Sequence, residues 1–131
     1  MLKGKSKEEC DASLKASLER LSKEVPADKI YLLQISDAYK LKTPITEEDE
    51  DGLRPRGNWS HAYRPVPFQG GYLPVVDVAR AVLKTGFRGW FSYEVFDAGP
   101  DGKGKNYELD EFANEAFACQ KKLVEACAKE S

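Results

Sequence analysis

The sequence predicts an α/β fold, in the order helix, strand, helix, strand, helix, with a parallel βαβ unit at its centre. Three observations carry this. Leu14, Leu18, Leu21 and Val25 recur at spacings of four, three and four, the stripe of an amphipathic helix. Two short, nearly continuous apolar runs, Ile30 to Ser36 and Gly89 to Phe96, read as strands covered on both faces of a parallel sheet. Between them Val75, Val76, Ala79, Val82 and Leu83 mark a second amphipathic helix, the crossover that parallel strands need.

Taken in order, the first ten residues are charged and are expected to fray. The first helix is expected over residues 11–26, where Pro26 stops it. A strand follows over 29–36 and ends in the polar pair Ser36-Asp37. The long connection 39–74 holds an acidic run, residues 47–51, and then LRPRGNWSHAYRPVPFQGGYLP. Loops of this length in compact domains are functional or disordered. The acidic part reads as disordered. Trp59, Tyr63, Phe68 and Tyr72 carry too much apolar surface to leave in water, so the aromatic part is expected to pack. The second helix is expected over 75–85, begun after Pro74 and ended at Gly86. A second strand over 89–96, a Gly-rich turn over 97–106 and a final helix over 108–128 complete the chain. The last helix is marked by Leu109, Phe112, Ala116, Leu123 and Cys127.

With 131 residues, 41% apolar and 32% charged, the sequence has the composition of one globular domain, residues 1–131. A formal net charge of −2 gives no electrostatic case for a nucleic acid or an anionic membrane partner. No apolar run approaches the roughly 20 residues that span a bilayer. The start, MLKGKSKEEC, lacks the apolar stretch of a secretory signal, so a soluble cytoplasmic protein is expected. The three cysteines, Cys10, Cys119 and Cys127, show no C-x-x-C spacing and read as reduced thiols. His61 is the single histidine, which excludes sites built on two.

Three motifs fail on inspection. Gly99 to Asn106 follows a strand and precedes a helix, but Asn106 stands where a phosphate loop needs Ser or Thr, and Pro100 has no N–H to offer. Glu47, Asp49, Asp51 and Gly52 imitate a calcium loop whose twelfth position, Asn58, cannot supply a bidentate carboxylate. Asn58-Trp59-Ser60 is formally a glycosylation sequon in a chain with no secretory signal.

Two polar residues interrupt the apolar strands. Gln34 lies in the first and Glu94 in the second, near its C-terminal end, the side on which parallel sheets and barrels build sites. A carboxylate among Trp90, Phe91, Tyr93 and Phe96 is costly unless it is paired or binds a metal. An amide oxygen and a carboxylate suit a hard divalent cation such as magnesium or manganese. Two parallel strands also make too small a sheet to stand alone. Either another chain completes it or the sequence is a piece of a larger domain, and the second is the better account.

On these residues the chain resembles the C-terminal part of a xylose isomerase-like TIM barrel, of the sugar phosphate isomerase/epimerase superfamily, and within it the 3-dehydroshikimate dehydratases. KIYLLQISDA resembles the seventh strand, with Gln34 three residues before Asp37, and GFRGWFSYEVFD resembles the eighth, with Glu94 as its metal-binding carboxylate. NWSHAYRPVPFQGGYLPVVDVARAV resembles the intervening dehydratase loop, although His61 stands where the family pattern has an Arg. The resemblance implies a C-terminal fragment of a (β/α)8 barrel. It also implies a lyase of quinate/shikimate catabolism that converts 3-dehydroshikimate to protocatechuate with a divalent metal. Gln34 and Glu94 would be half of the metal site. Arg64 would clamp the substrate carboxylate, with Ser60 and Trp59 beside it. The other ligands lie on earlier strands, so the isolated chain is expected to be inactive. Two alternatives stay open. One is a sugar phosphate or inositol-pathway isomerase or epimerase. The other is a non-catalytic module that associates through incomplete barrel edges.

Overall fold

A computed structural model describes residues 6–43, 45, 52 and 54–129. Helix α1 spans Lys7–Glu24 and a 3-10 turn covers Ala27–Lys29. Strand β1 is Leu32–Ile35, α2 is Pro55–Ser60, β2 is Tyr63–Arg64 and α3 is Val75–Lys84. Strand β3 is Trp90–Tyr93, β4 is Phe96–Asp97, and α4 closes the chain over Leu109–Ala128. Strands β1 and β3 pair in parallel, and β2 pairs antiparallel with β4. The α/β class and the parallel pair therefore stand as expected. The acidic run 47–51 lies outside the described residues.

The helix starts follow local chemistry. Ser6 accepts the Glu9 N–H on its hydroxyl at 3.1 Å, while the Glu9 carboxylate takes the Ser6 N–H at 2.7 Å. This reciprocal cap, worth about 1 kcal/mol, begins α1 four residues before the expected Asp11. At the other end Val25 leaves helical geometry just ahead of Pro26. After α3 the chain reverses at Gly86, whose φ of +94° only glycine takes without strain.

The connection 39–74, expected as one long loop of the active-site type, holds two short elements. Pro55 pre-sets the first turn of α2, and β2 follows directly. The aromatic part does pack: Pro65, Val66 and Pro67 are buried and Trp59 is half-buried, although Tyr72 remains 55% exposed. The second strand is also shorter than expected. Past Glu94, whose N–H still bonds the Ile35 carbonyl, the chain leaves β1, and Phe96–Asp97 pair instead with β2. Glu94 lies in that gap, so it follows the strand rather than interrupting it.

Cover on both faces of the strands is not what the structure shows. Along β1, Leu33 is half-buried and Ile35 buried, while Leu32 and Gln34 are exposed. On β3, Trp90 is 81% exposed while Phe91 and Tyr93 are half-buried. A continuous apolar run records that both faces seek cover, not that this chain supplies both.

The chain falls into two compact units. One comprises the described residues up to Leu33 together with Val76–Phe91, and its buried residues are Ala79, Ala81, Val82 and Phe87. The other comprises Gln34–Val75 and the described residues from Ser92 onward. Its core holds Ile35, Ala38, Tyr39, Val66, Val75, Cys119, Leu123 and Cys127. Cys10, Cys119 and Cys127 are not joined in a disulfide, and Cys119 and Cys127 are buried.

Candidate functional site

The second unit carries the polar residues at the C-terminal ends of β1 and β3. The Glu94 N–H bonds the Ile35 carbonyl at 3.1 Å, and the Ser36 hydroxyl donates to the Glu94 carbonyl at 2.9 Å. These two bonds fix the backbone of Glu94 beside Ser36 and leave its side chain, 42% exposed, to solvent and neighbours.

The neighbour it meets is Arg64. The guanidinium Nη1 donates to Glu94 Oε2 at 2.6 Å, a charge-assisted bond at the short end of its range. The same nitrogen lies 3.4 Å from the Ser36 hydroxyl, and Nε donates to the Ser60 carbonyl at 2.7 Å. Arg64 also lies 4.5 Å from the centroid of the Phe96 ring, and His61 stacks on the same ring at 5.6 Å. With its side chain 16% exposed, Arg64 is held from several directions. Local sequence makes this geometry. Ser60 ends α2 and Arg64 ends β2, four residues on, so the side chain folds back onto the helix's last carbonyl.

Of the residues singled out in the sequence, Arg64, Glu94 and Ser60 are therefore gathered, with Ser60 taking part through its carbonyl. Trp59 is half-buried in α2, and Gln34 is exposed on β1. Gln34 and Glu94 carry oxygen donors of the kind that magnesium and manganese take, but the Glu94 carboxylate is engaged by Arg64. Among the described residues no group of three His, Cys, Asp or Glu side chains gathers in a way that could hold an ion.

Sequence reasoning passed over three participants. Phe96 reads as one more apolar strand residue, yet it presents its ring to Arg64. Asp37 is 3% exposed, and its Oδ1 accepts the N–H groups of Ala38 at 2.8 Å and Leu73 at 2.9 Å. Asp97 forms a second centre, with its side chain 2% exposed. It accepts the Gly99 N–H at 2.8 Å, the Lys105 ammonium at 3.0 Å and the Tyr107 hydroxyl. Burial alone would raise the Asp97 pKa, but the bonds from Tyr107, Gly99 and Lys105 outweigh it and hold the carboxyl below its ordinary range. Tyr39 is pushed up to about 12, first by burial and then by the charge and hydrogen bond of Asp97, and Tyr107 is raised for the same reasons. The sequence signal was available only as an acidic residue opening a Gly-rich turn.

The comparisons with known proteins agree with the resemblance read from the sequence. No family model matches the chain. A 3-dehydroshikimate dehydratase of Neurospora crassa is 33% identical over 92 residues, 65% of this chain and 26% of that protein. A solved xylose isomerase-like TIM barrel/4-hydroxyphenylpyruvate dioxygenase fusion protein matches with a TM-score of 0.62 and 26% identity. That match covers 88% of this chain and 16% of the fusion protein. The chain thus spans about a quarter of the curated relative. No helix among the described residues is long and apolar enough to cross a membrane. The chain is accordingly similar to 3-dehydroshikimate dehydratase and has the fold of part of a xylose isomerase-like TIM barrel.

Proposed function

We propose that residues 1–131 form one partial barrel domain, the C-terminal part of a 3-dehydroshikimate dehydratase-like lyase of the cytoplasm, and that the chain alone is inactive. The observation that carries this reading is a guanidinium set against a carboxylate at the C-terminal ends of a parallel strand pair. The reaction removes one water from 3-dehydroshikimate. A proton leaves the carbon beside the ring carbonyl and a hydroxyl departs with a proton as water; a second ring proton is then lost as the carbonyl oxygen gains one, which makes the ring the aromatic protocatechuate. The step needs an anchor for the ring carboxylate and a stabiliser for the negative charge that develops on the carbonyl oxygen.

Arg64 suits the anchor. Its planar fork matches a carboxylate, and its bond to the Ser60 carbonyl and its packing on Phe96 fix its plane. Ser60 and Trp59 border the same ligand position. Gln34 and Glu94 would hold a magnesium or manganese ion, which supplies Lewis acidity at the carbonyl. Such ions take about six ligands, so the set would be completed by donors outside this chain and by water. The proton-abstracting base is likewise assigned outside it.

The test has two arms. The purified chain with manganese and 3-dehydroshikimate is expected to form no protocatechuate, and any enzyme-dependent product overturns inactivity. Grafting this chain in place of the matching stretch of the Neurospora crassa dehydratase is expected to retain protocatechuate formation. The Glu94→Gln graft should lose at least about a hundredfold in rate, on the scale of one essential electrostatic contact. A graft that instead interconverts ketoses transfers the chain to the sugar isomerases and epimerases. A second reading, association with strands supplied by another copy or another chain, is favoured by the exposed Tyr31, Leu32 and Trp90.

A further inference from the structure

Two planar groups rest against the Phe96 ring, the Arg64 guanidinium and the His61 imidazole. We infer that His61 is a positioning residue for the carboxylate anchor: by fixing the Phe96 ring it fixes the plane of the Arg64 guanidinium. This deepens the lyase reading and rests on its assignment of Arg64 to the ligand carboxylate.

The backbone brings the three side chains together. Arg64 and Phe96 are direct partners in the antiparallel β2–β4 pair, so their side chains leave the same face of the ladder. The guanidinium carbon lies 4.5 Å from the ring centroid, a cation–π contact. His61 caps the C-terminal end of α2, where its N–H bonds the Gly57 carbonyl at 3.0 Å and the Asn58 carbonyl at 3.2 Å. The carbonyl of the next residue, Ala62, accepts the Ala98 N–H at 2.7 Å, which ties the helix end to the chain just past Phe96. The imidazole is thereby carried onto the Phe96 ring, with 5.6 Å between centroids and 29° between planes.

This contact matters because the other restraints leave a freedom open. Phe96 is 40% exposed on a strand of two residues, so packing encloses only part of its ring. The bonds from Arg64 to the Ser60 carbonyl and to Glu94 hold two nitrogens, but hydrogen bonds tolerate a broad range of tilt. Contact of the guanidinium with the ring sets that tilt. A bidentate bond to a ligand carboxylate needs it set, since both N–H groups must meet the two oxygens together. A ring free to swing would let the guanidinium follow it, and the stacked imidazole removes that freedom.

The test follows the Arg64 Nε–H signal in the whole chain by NMR. The Phe96 ring current displaces that signal in the wild type, and Phe96→Ala marks its undisplaced position. His61→Ala is expected to lose roughly half of the displacement or more and to exchange that proton with water about threefold to tenfold faster, the scale of one aromatic contact. His61→Phe keeps a flat ring at the position and is expected to match the wild type. Wild-type behaviour in His61→Ala overturns the inference, and so does a His61→Phe that behaves like His61→Ala. If His61→Ala fails to fold, His61→Leu, which fills the position without a flat ring, replaces it under the same criteria. The Neurospora crassa graft reads the consequence for the reaction. There His61→Ala should raise KM for 3-dehydroshikimate about threefold to tenfold with kcat within about twofold, and His61→Phe should restore it. A KM effect without any change at Arg64 overturns the inference, because His61 then acts on the ligand directly. A wild-type graft that makes no protocatechuate removes the lyase reading, while the Arg64 signal still decides the positioning.

Discussion

Gly71→Ala is expected to lower the stability of the chain by about 3 kcal/mol, read as a shift in the denaturant midpoint at constant slope. A Cβ at Gly71 would stand 2.1 Å from Asp37 Cγ and 2.2 and 2.3 Å from its two oxygens. That carboxylate has nowhere to go, since it is 3% exposed and holds the N–H groups of Ala38 and Leu73. Inserting a methyl group either displaces it, leaving two donors unpaired, or pushes the 70–73 segment off it. Here glycine is required by close approach, not by its φ. Asp37→Ala should cost a similar amount, because bonds to a charged acceptor contribute about 1.5–3 kcal/mol each and orphaned buried donors cost more than paired ones gain. The double variant, Asp37→Ala with Gly71→Ala, should be no worse than Asp37→Ala alone, because the clash needs both partners. Full additivity of the two losses would show that Gly71 matters for some reason other than the carboxylate.

What the sequence made legible and what it hid divide along the range of the interactions. Helices α3 and α4 lie within one residue of expectation because an apolar stripe, Pro74 and Gly86 are all local signals. The start of α1 was equally local, since Ser6 and Glu9 form a three-residue spacing, but charge in the first ten residues masked it. Strands β2 and β4 have two residues each, too few for any period, and their pairing joins Tyr63 to Asp97 across the whole of α3 and β3. No pattern within a window shows that.

The same division runs through the site. The cost of burying a carboxylate beside aromatic residues singled out Glu94, whose side chain the structure leaves 42% exposed and pairs with Arg64. Which partner it would be was not legible, because the guanidinium comes from thirty residues earlier and is turned by its own bond to Ser60. Phe96 and Asp97 face opposite tasks one residue apart. One presents its ring to Arg64 while the other receives Tyr107, as adjacent strand positions do when their side chains alternate. Sequence alone assigns each position a character, apolar or charged, but not the neighbour that gives the character a role.

The Asp97 centre makes the second large effect, and its sign follows from the direction of each shift. A carboxyl held below its ordinary range in the folded chain adds stability that is fully present above the unfolded value of about 3.9, and that is lost as pH falls through the folded pKa. Tyr39, raised from 10.0 to about 12, acts on the other side. Its contribution is complete below pH 10 and disappears as pH rises through about 12. Tyr107 is shifted in the same direction, so the centre favours the fold most between these two limits. Asp97→Asn is therefore expected to cost about 2–4 kcal/mol at neutral pH, where the charged acceptor of the Tyr107, Gly99 and Lys105 bonds is lost. The loss should shrink on acidification, as the wild type gives up the same advantage. On the alkaline side, burial is the first cause of both tyrosine shifts and survives the substitution. The phenol titrations of Asp97→Asn should therefore move down toward 10 without reaching it, as read from tyrosinate absorbance. A stability difference that stays constant from acid to neutral pH would mean that Asp97 acts through its shape rather than its charge. The loop between β4 and α4 would then be held by packing on Tyr107 and Phe112, whose rings meet edge to face at 5.0 Å.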